Sequence, residues 1–229
     1  MKQYRPFSDI RHNSYCAGCN SYPVNLTREH IPPKIFLDKP YPENLQITET
    51  CTSCNIGMSL DEEYLACWVE CARVGTANPS DLRRAKIKEI LSKKPALQSK
   101  IEQGMAEGRI YLEVDRAKKV IEKLARCHVA FELSNRAPDE EPVIGLENLN
   151  SLGDTMRQEF ESAFYCDIVP EIGSRAFLRQ FDSTNPSLTN WVTVQNDRYR
   201  YIVYGATKTI VRIVVSEYLA AEVIWPEYT

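Results

Sequence analysis

The stretch CAGCNSYPVNLTREHIPPKIFLDKPYPENLQITETCTSCN, residues 16–55, carries two CxxC pairs that are separated by 31 residues. Cys16 and Cys19 form the first pair, and Cys51 and Cys54 form the second. Four thiolates in two such pairs are the ligand set with which small zinc modules hold two loops together. The stretch also lacks helical periodicity, as expected where a metal rather than a core organises the fold. We therefore expect a structural Zn²⁺ on these four cysteines.

Chemistry in this stretch must come from other side chains, because a zinc ion with four cysteine ligands keeps no open coordination position. His30 lies in LTREHIPPKIF (residues 26–36), directly after Glu29. A neutral imidazole, with an ordinary pKa of about 6.5, can take a proton from water at physiological pH. Glu29 is expected on the other side of an extended chain and is a candidate ligand for a hard ion such as Mg²⁺.

Further residues near Glu29 and His30 are expected to position this pair or to bind the same ion. Pro32 and Pro33 are expected to hold the chain extended after His30. Asn55 directly follows the last cysteine of the frame, so zinc would fix its position, and its side-chain carbonyl is a second candidate oxygen ligand. Asn44 lies on the segment that returns to the second CxxC pair, and we expect it to brace the loop of His30.

The motifs of this stretch agree in order and spacing with one known family. They are Cys16-x-x-Cys19, Glu29-His30-Ile31-Pro32-Pro33-Lys34, Asn44-Leu45 and Cys51-x-x-Cys54-Asn55. The combination resembles the zinc-bearing HNH endonucleases over roughly residues 14–74. The resemblance implies a ββα-metal unit, or His-Me finger, in which two strands and a helix stand on the four-cysteine zinc frame.

The resemblance also implies roles for the site residues. His30 is the general base, Asn44 is the middle Asn, and Glu29 with Asn55 binds a catalytic Mg²⁺ or Mn²⁺. The last motif position is often His in that family. This chain has Asn55 there, and a carbonyl oxygen favours hard ions over the softer ions that imidazole prefers.

The activity implied is that of a metal-dependent endonuclease, which hydrolyses phosphodiester bonds in nucleic acid, with DNA favoured as substrate. Arg28 and Lys34 flank the Glu29-His30 pair and are expected to contact phosphates on either side of the cut bond. Two alternatives stay open. One is a non-catalytic zinc module that binds nucleic acid or a protein partner, and the other is a nuclease effector of a bacterial defence or toxin system.

The segment SLDEEYLACWVECARVG, residues 59–75, offers two interpretations of its acidic side chains. Ser59 and Glu62 match a capping box, in which Glu62 bonds back to the amide of Ser59. One uninterrupted helix would instead place Glu62 on the same face as Asn55, seven residues earlier. We favour the cap.

The four remaining cysteines are scattered along the chain. Cys67 and Cys71, four residues apart, could bind a second metal if Cys127 and Cys166 met them in space. Free cysteines are more often small apolar residues of the core, and we favour that interpretation.

Charge is unevenly distributed. Residues 1–138 contain 21 Lys and Arg against 17 Asp and Glu, a net charge of +4, whereas residues 139–229 contain 7 against 14, a net charge of −7. A polyanion should therefore bind the first part, while the acidic part could bind a regulatory protein or a second copy of the chain. The most basic stretch, residues 83–94, is expected on a helix capped by Ser80, and a solvated face and a phosphate-contacting face are equally supported there.

The rest of the chain shows clearer periodicity. A helix is predicted over Val114–Leu133, with His128 packed or capping on its apolar stripe. The prolines and acids of RAPDEEP, residues 136–142, break that pattern and predict a boundary near residue 139. From residue 190 to 225, β-branched and aromatic residues predict strands, and Tyr199 and Tyr201 are expected to pack on the preceding helix rather than to stack on bases.

These patterns predict an α+β fold with three parts. Residues 1–75 form the HNH nuclease domain, residues 76–138 form a helical segment, and residues 139–229 form an acidic, antiparallel β-rich domain of unassigned role. No stretch approaches the roughly 18 apolar residues of a membrane helix, and the N-terminus lacks the apolar core of a signal peptide. The sequence therefore predicts a soluble, cytoplasmic protein that does not associate with membranes.

Overall fold

The structure is a computed structural model, which describes residues 14–105, 111–165, 172–182, 188–205 and 208–226. Within these residues the protein combines helices with antiparallel sheets, as the sequence predicts. No helix in the described ranges is both long and apolar enough to cross a membrane.

The N-terminal part begins with two strands that pair antiparallel, β1 (Thr27–Ile31) and β2 (Gln46–Thr50). A single 3₁₀ turn lies between them, over Lys34–Phe36. Two helices follow β2: the short α1 (Thr52–Asn55) and the longer α2 (Ser59–Val74). Both cysteine pairs therefore lie beside this two-stranded sheet, one before β1 and one at the start of α1.

The helical middle consists of α3 (Ala85–Lys93), α4 (Pro95–Gly104) and α5 (Val114–Leu133). The bounds of α5 confirm the predicted helix, which ends where Ser134 takes a left-handed conformation, with φ of 53°. Helix α5 contacts α2, both N-terminal strands and the C-terminal sheet. It is thus the element that joins the N-terminal and C-terminal parts.

The prediction that Ser80 caps the basic helix is wrong. Helix α3 begins at Ala85, and Arg84 is its N-cap residue. The reason is tertiary, because the buried carboxylate of Glu70 on α2 accepts hydrogen bonds from the backbone nitrogens of Arg83 and Arg84, at 2.9 Å and 3.1 Å. A side chain from another helix thus holds the residues at which α3 starts.

The C-terminal part is built on a five-stranded antiparallel sheet, whose spatial order is β3-β9-β8-β7-β6. Its strands are β3 (Val143–Asn148), β6 (Val192–Gln195), β7 (Tyr199–Gly205), β8 (Thr209–Val215) and β9 (Leu219–Trp225). The smaller elements of this part are α6 (Asp154–Glu161), β4 (Phe164–Tyr165), α7 (Arg175–Asp182) and β5 (Leu188–Thr189). The predicted strands and their turn at residues 196–197 are confirmed.

One face of this sheet packs on α5. Tyr199 and Tyr201 are buried there, as predicted, and His128 of α5 packs against both rings. The His128 ring stacks on the Tyr201 ring at 3.7 Å, and its Nε2 lies 2.8 Å from the Tyr199 hydroxyl. Burial holds the pKa of His128 well below its usual value, and the nearby charge of Arg179 acts in the same direction. His128 is therefore a packed core residue.

Side chains from all three predicted segments share the largest hydrophobic cluster, which includes Phe36, Leu65, Leu124, Tyr201 and Trp225. Each of these five side chains is at most 1% exposed. Removal of this apolar surface from water stabilises the fold at roughly 25 cal/mol per Å². The division into three domains stays a prediction, and the N-terminal strands and the C-terminal sheet are positioned by this common packing.

Candidate metal centre and adjoining cleft

The sulfur atoms of Cys16, Cys19, Cys51 and Cys54 lie within 4.8 Å of one another. The Sγ atoms of Cys19 and Cys51 are 3.9 Å apart. A tetrahedral zinc site with Zn–S bonds of about 2.3 Å has S–S edges of about 3.8 Å, so this spacing fits the ion. The predicted clustering is confirmed, and the cluster could bind a metal ion such as Zn²⁺.

The backbone around the cluster is arranged for thiolates. The amide of Cys51 donates to Sγ of Cys16 at 3.1 Å, and the amide of Cys54 donates to Sγ of Cys51 at 3.5 Å. A hydrogen bond from the Cys54 side chain lowers the pKa of the Cys16 thiol against the opposing effect of burial. The same hydrogen bond raises the pKa of Cys54, and burial raises that of Cys51, so the metal-free cluster favours a thiolate at Cys16. A low thiol pKa favours the deprotonated form that a metal requires.

Local chain geometry explains why the first CxxC pair folds as a tight turn. Asn20 adopts φ of 57°, a left-handed conformation that Asn tolerates, and its amide donates to the carbonyl of Cys16 at 2.8 Å. A Cβ at Gly18 would lie 3.0 Å from Cβ of Cys54. Glycine therefore lets the two loops approach closely enough for four sulfur atoms to meet.

The other described cysteines lie in the core. Cys67 and Cys71 are fully buried in the main hydrophobic cluster, and Cys127 is buried beside Ile31 and Phe131. Burial raises the pKa of the Cys71 thiol to about 12, which disfavours a metal-binding thiolate. In the described ranges these three form no metal cluster, which agrees with the favoured core interpretation. Cys166 lies outside the described residues.

A cleft of about 280 Å³ adjoins the cysteine cluster at the junction of β1, α1 and α2. Every predicted catalytic or phosphate-contacting residue except Asn44 lines it. The lining residues are Arg28, Glu29, His30, Pro33, Lys34, Ile35, Asn55, Ser59, Glu62 and Glu63. The structure thus brings together the candidate base, both candidate oxygen ligands of the divalent ion and both candidate phosphate contacts.

His30 is half-buried on β1, where it pairs with Ile47 of β2. Burial lowers its pKa, and the positive charge of Lys34 lowers it further. A lowered pKa favours the neutral imidazole, which is the state that a general base requires.

Glu29 alternates with His30 along β1 and faces α5, where its side chain is buried. Its carboxylate forms an ion pair with Lys123 at 3.2 Å. Burial raises the pKa of Glu29 to about 7, the positive charge of Lys123 opposes that shift, and the charge of Glu62 adds to it. Glu29 is thus a desolvated carboxylate, and a second cation would stabilise its charged form.

Asn55 is oriented by β1. Its Nδ2 donates to Oγ1 of Thr27 at 3.0 Å and to the carbonyl of Arg28 at 3.1 Å. These two bonds use both hydrogens of the amide nitrogen and fix its plane. The amide oxygen is then the atom with which Asn55 could meet a cation.

Asn44 lies in an exposed turn before β2 and outside the lining of the cleft. Its role as a brace for the loop of His30 stays a prediction.

The predicted capping box at Ser59 and Glu62 is wrong. The amide of Ser59 donates to the carbonyl of Ile56 at 3.2 Å, and no side chain caps the start of α2. Glu62 is instead buried, with Oε1 2.5 Å from Nζ of Lys123. Burial raises the pKa of Glu62, and the charge of Lys123 opposes that shift. The competing prediction assumes one uninterrupted helix, whereas Asn55 and Glu62 lie on separate helices, α1 and α2, and both line the cleft.

Most cations of the basic stretch contact the protein itself. The Arg84 guanidinium is buried and donates to Asp38 at 2.8 Å. Lys86 donates to the carbonyl of Lys34 at 3.1 Å. The remaining ion pairs of this stretch are Lys93–Glu89 at 2.5 Å and Lys94–Glu63 at 2.6 Å. These contacts favour a structural role for residues 83–94.

Comparisons with family models, with curated proteins and with solved structures find no match for this chain. The resemblance to the HNH endonucleases therefore rests on the motif residues themselves.

Lys123 is the site residue that the sequence interpretation missed. It occupies a helical stripe of α5 with Val120 three residues before it and Cys127 four residues after it, both buried. A charged residue within an apolar stripe signals a buried ionic partner, because an isolated buried charge is costly.

Proposed function

We propose that this protein is a metal-dependent endonuclease of the HNH kind, with a ββα-metal unit formed by β1, β2 and the helices after them, and a structural Zn²⁺ on the four cysteines. The observation that carries the proposal is the shared cleft, in which His30, Glu29 and Asn55 lie beside the cysteine cluster. A binding module would not require an imidazole, a carboxylate and an amide together at this place.

The chain's own residues supply the steps of hydrolysis. His30, kept neutral by its environment, removes a proton from the water that attacks the phosphorus atom. Arg28 and Lys34 hold the phosphates on either side of the cut bond. Glu29 and Asn55 would hold a Mg²⁺ or Mn²⁺, which would stabilise the negative charge that develops in the transition state. The products carry 5′ phosphate and 3′ hydroxyl ends.

DNA is the favoured substrate, and its negative backbone matches the positive N-terminal 138 residues. The acidic residues 139–229 are then the surface for a regulatory protein or a second copy, as in an effector of a defence or toxin system. A binding measurement with a candidate regulatory protein tests the first alternative. A strictly monomeric mass by light scattering would rule out binding of a second copy.

The test of the proposed activity uses supercoiled plasmid incubated with the purified, zinc-loaded protein in Mg²⁺ and in Mn²⁺. Nicked or linear product from the wild-type protein, and its loss with EDTA or with His30→Ala, supports the proposal. A folded, zinc-bound protein that yields no product from plasmid, single-stranded DNA or RNA under any of these conditions would overturn it.

One observation favours the second candidate, a non-catalytic zinc module that binds nucleic acid or a protein. Glu29 already has a cationic partner in Lys123, so its burial has a structural explanation. Plasmid retention in a gel without cleavage, unchanged by Mn²⁺, is the result expected of that module.

A further inference from the structure

Three ionisable side chains meet at the inner wall of the cleft. Nζ of Lys123 lies 2.5 Å from Oε1 of Glu62 and 3.2 Å from Oε1 of Glu29. The side chains of Lys123, Glu29 and Glu62 are only 2%, 6% and 7% exposed. The lysine comes from α5, whereas the carboxylates come from β1 and α2, so three elements converge on one point.

The cluster holds two carboxyl groups but only one ammonium. With both carboxyl groups ionised it would carry a net charge of −1, and burial accordingly raises the pKa of both. A buried net charge is unfavourable unless another group neutralises it. Each carboxylate contacts the lysine through Oε1, and a carboxylate has a second oxygen that can also accept a cation.

The carboxylates and the ammonium differ in whether they line the cleft. Glu29 and Glu62 line the cleft, and so does Asn55, whereas Lys123 is not among the described lining residues. The two carboxylates, and not the ammonium, are thus the groups of this cluster that line the cleft.

The spacing of the carboxylates suits one ion. Because both Oε1 atoms contact the same nitrogen, at 2.5 Å and 3.2 Å, they are less than about 6 Å apart. Mg²⁺ binds oxygen at about 2.0–2.1 Å, and Mn²⁺ takes similar oxygen ligands. Small side-chain rotations of Glu29 and Glu62 would bring one oxygen of each onto a common ion.

We propose that Glu62 joins Glu29 and Asn55 as a ligand of the divalent ion, and that Lys123 is a built-in counter-cation. In the ion-free protein Lys123 holds the two carboxylates together, and in the ion-bound protein its positive charge weakens binding of the ion. The proposal rests on the proposed function for the role of that ion, and it adds a ligand and a positioning residue that the motif resemblance does not include.

The two substitutions act in opposite directions. Glu62→Gln removes a negative ligand and should weaken Mn²⁺ binding about tenfold or more, as loss of a metal ligand or its partner commonly does. Lys123→Met removes a nearby like charge while it keeps most of the side-chain volume, so it should tighten Mn²⁺ binding several-fold. It should also lower the melting temperature without Mn²⁺, because two carboxylates then lose their partner.

Isothermal titration calorimetry of the zinc-loaded, 229-residue protein with MnCl₂ measures the Mn²⁺ affinity of wild type and of each variant. Asp61→Asn is the matched control, because Asp61 also lies in the first turn of α2 but pairs with Arg116 and does not line the cleft. Zinc content and circular dichroism of each variant report on the fold. The expected order of Mn²⁺ affinity is Lys123→Met above wild type, Asp61→Asn equal to wild type, and Glu62→Gln lowest.

Equal Mn²⁺ affinity of Glu62→Gln and wild type overturns the ligand role, and so does a wild-type protein that binds no Mn²⁺. Unchanged or weaker affinity in Lys123→Met overturns the counter-cation role. If Glu62→Gln does not fold, Glu62→Asp replaces it, because the shorter side chain keeps its charge but should still weaken Mn²⁺ binding.

The binding and cleavage readouts separate this inference from the proposed function. Mn²⁺ affinities in the expected order without cleavage of any nucleic acid would support the metal site and refute the nuclease. Cleavage by wild type with equal Mn²⁺ affinity in Glu62→Gln would support the nuclease and refute the added ligand.

Discussion

The side chain of Asn55 is bound to that of Thr27, with Nδ2 donating to Oγ1 at 3.0 Å. The same Thr27 oxygen donates to the carbonyl of Thr50 at 2.9 Å. The two bonds connect α1, which carries Cys54 and is capped by Cys51, with both strands of the N-terminal sheet. The Thr27 hydroxyl group therefore links the helix that carries Cys54 and Asn55 to both strands of the N-terminal sheet.

Thr27→Val removes that hydroxyl and keeps the shape of the side chain. We expect zinc content to stay near one per chain, whereas Mn²⁺ affinity should fall because the Asn55 amide loses a bond that orients it. Calorimetry measures the affinity, and Thr193→Val, at an exposed position of β6, is the matched control. An affinity equal to that of the control would mean that Asn55 does not need this bond.

His30→Ala should lower the rate of plasmid cleavage by about 100-fold or more, which is the usual contribution of a general base. His30 is only half-buried, so the fold should survive the change. A gel-based rate measurement in Mg²⁺ tests this, with circular dichroism and zinc content as checks of the fold. Cleavage at the wild-type rate would contradict the assignment of the base.

Cys51→Ser should abolish stoichiometric zinc binding and unfold the N-terminal part, because four thiolates on one ion hold the two cysteine loops together. Cys71→Ala is the matched control, since it removes a fully buried thiol of the core. It should cost about 1 kcal/mol of stability and leave the zinc content unchanged. Elemental analysis measures the zinc content of both variants. Equal zinc loss in Cys51→Ser and Cys71→Ala would refute a site specific to the four clustered cysteines.

Lys34→Ala should weaken DNA binding at all sequences and reduce the slope of log affinity against log salt by about 1, as expected of a single phosphate contact. Lys93→Ala is the control, because Lys93 is exposed and pairs with Glu89. Fluorescence anisotropy at several salt concentrations gives both slopes. A slope that changes equally in both variants would show that the basic stretch contacts phosphates too.

Asp38 should make the stability depend on pH. Burial alone would raise its pKa, but hydrogen bonds and charges from Arg84 and Arg198 outweigh burial and lower it. The folded state therefore binds fewer protons, so this stabilisation is present above the ordinary aspartate pKa of 3.8 and is lost as the pH falls below it.

Asp38→Asn should accordingly unfold at lower urea concentration than wild type at pH 7, and the difference should shrink at acidic pH. Asp197→Asn, at an exposed turn with φ of 59°, serves as the control because Asn tolerates that conformation. A difference between Asp38→Asn and wild type that does not depend on pH would argue against an ionised Asp38.

Periodic patterns predicted much of the fold. Helix α5 and strands β7 to β9 follow from the spacing of apolar residues, because a side chain's place on a helix or strand depends on neighbours within a few positions. Each CxxC pair is local too, the first in a turn and the second at the start of α1, and the paired strands β1 and β2 bring the two pairs together.

The start of α3 and the position of Glu62 were not predictable in this way. Ser80 and Ser59 both precede helical patterns and look like caps. Their competitors, Glu70 for the start of α3 and Lys123 for the carboxylate of Glu62, lie on other helices. A local signal for a cap gives no information about a partner that folding brings from elsewhere.

By itself the sequence determined the cysteine cluster, the long helix, the C-terminal strands and the chemical types around His30, all of which depend on short-range spacing. Only the tertiary structure decided that Lys123 meets Glu29 and Glu62, because that contact joins residues 61 positions or more apart. Burying Glu62 or Lys123 without an ionic partner would cost more free energy than a local capping bond contributes. The partner of each is therefore set by how α2 and α5 pack together.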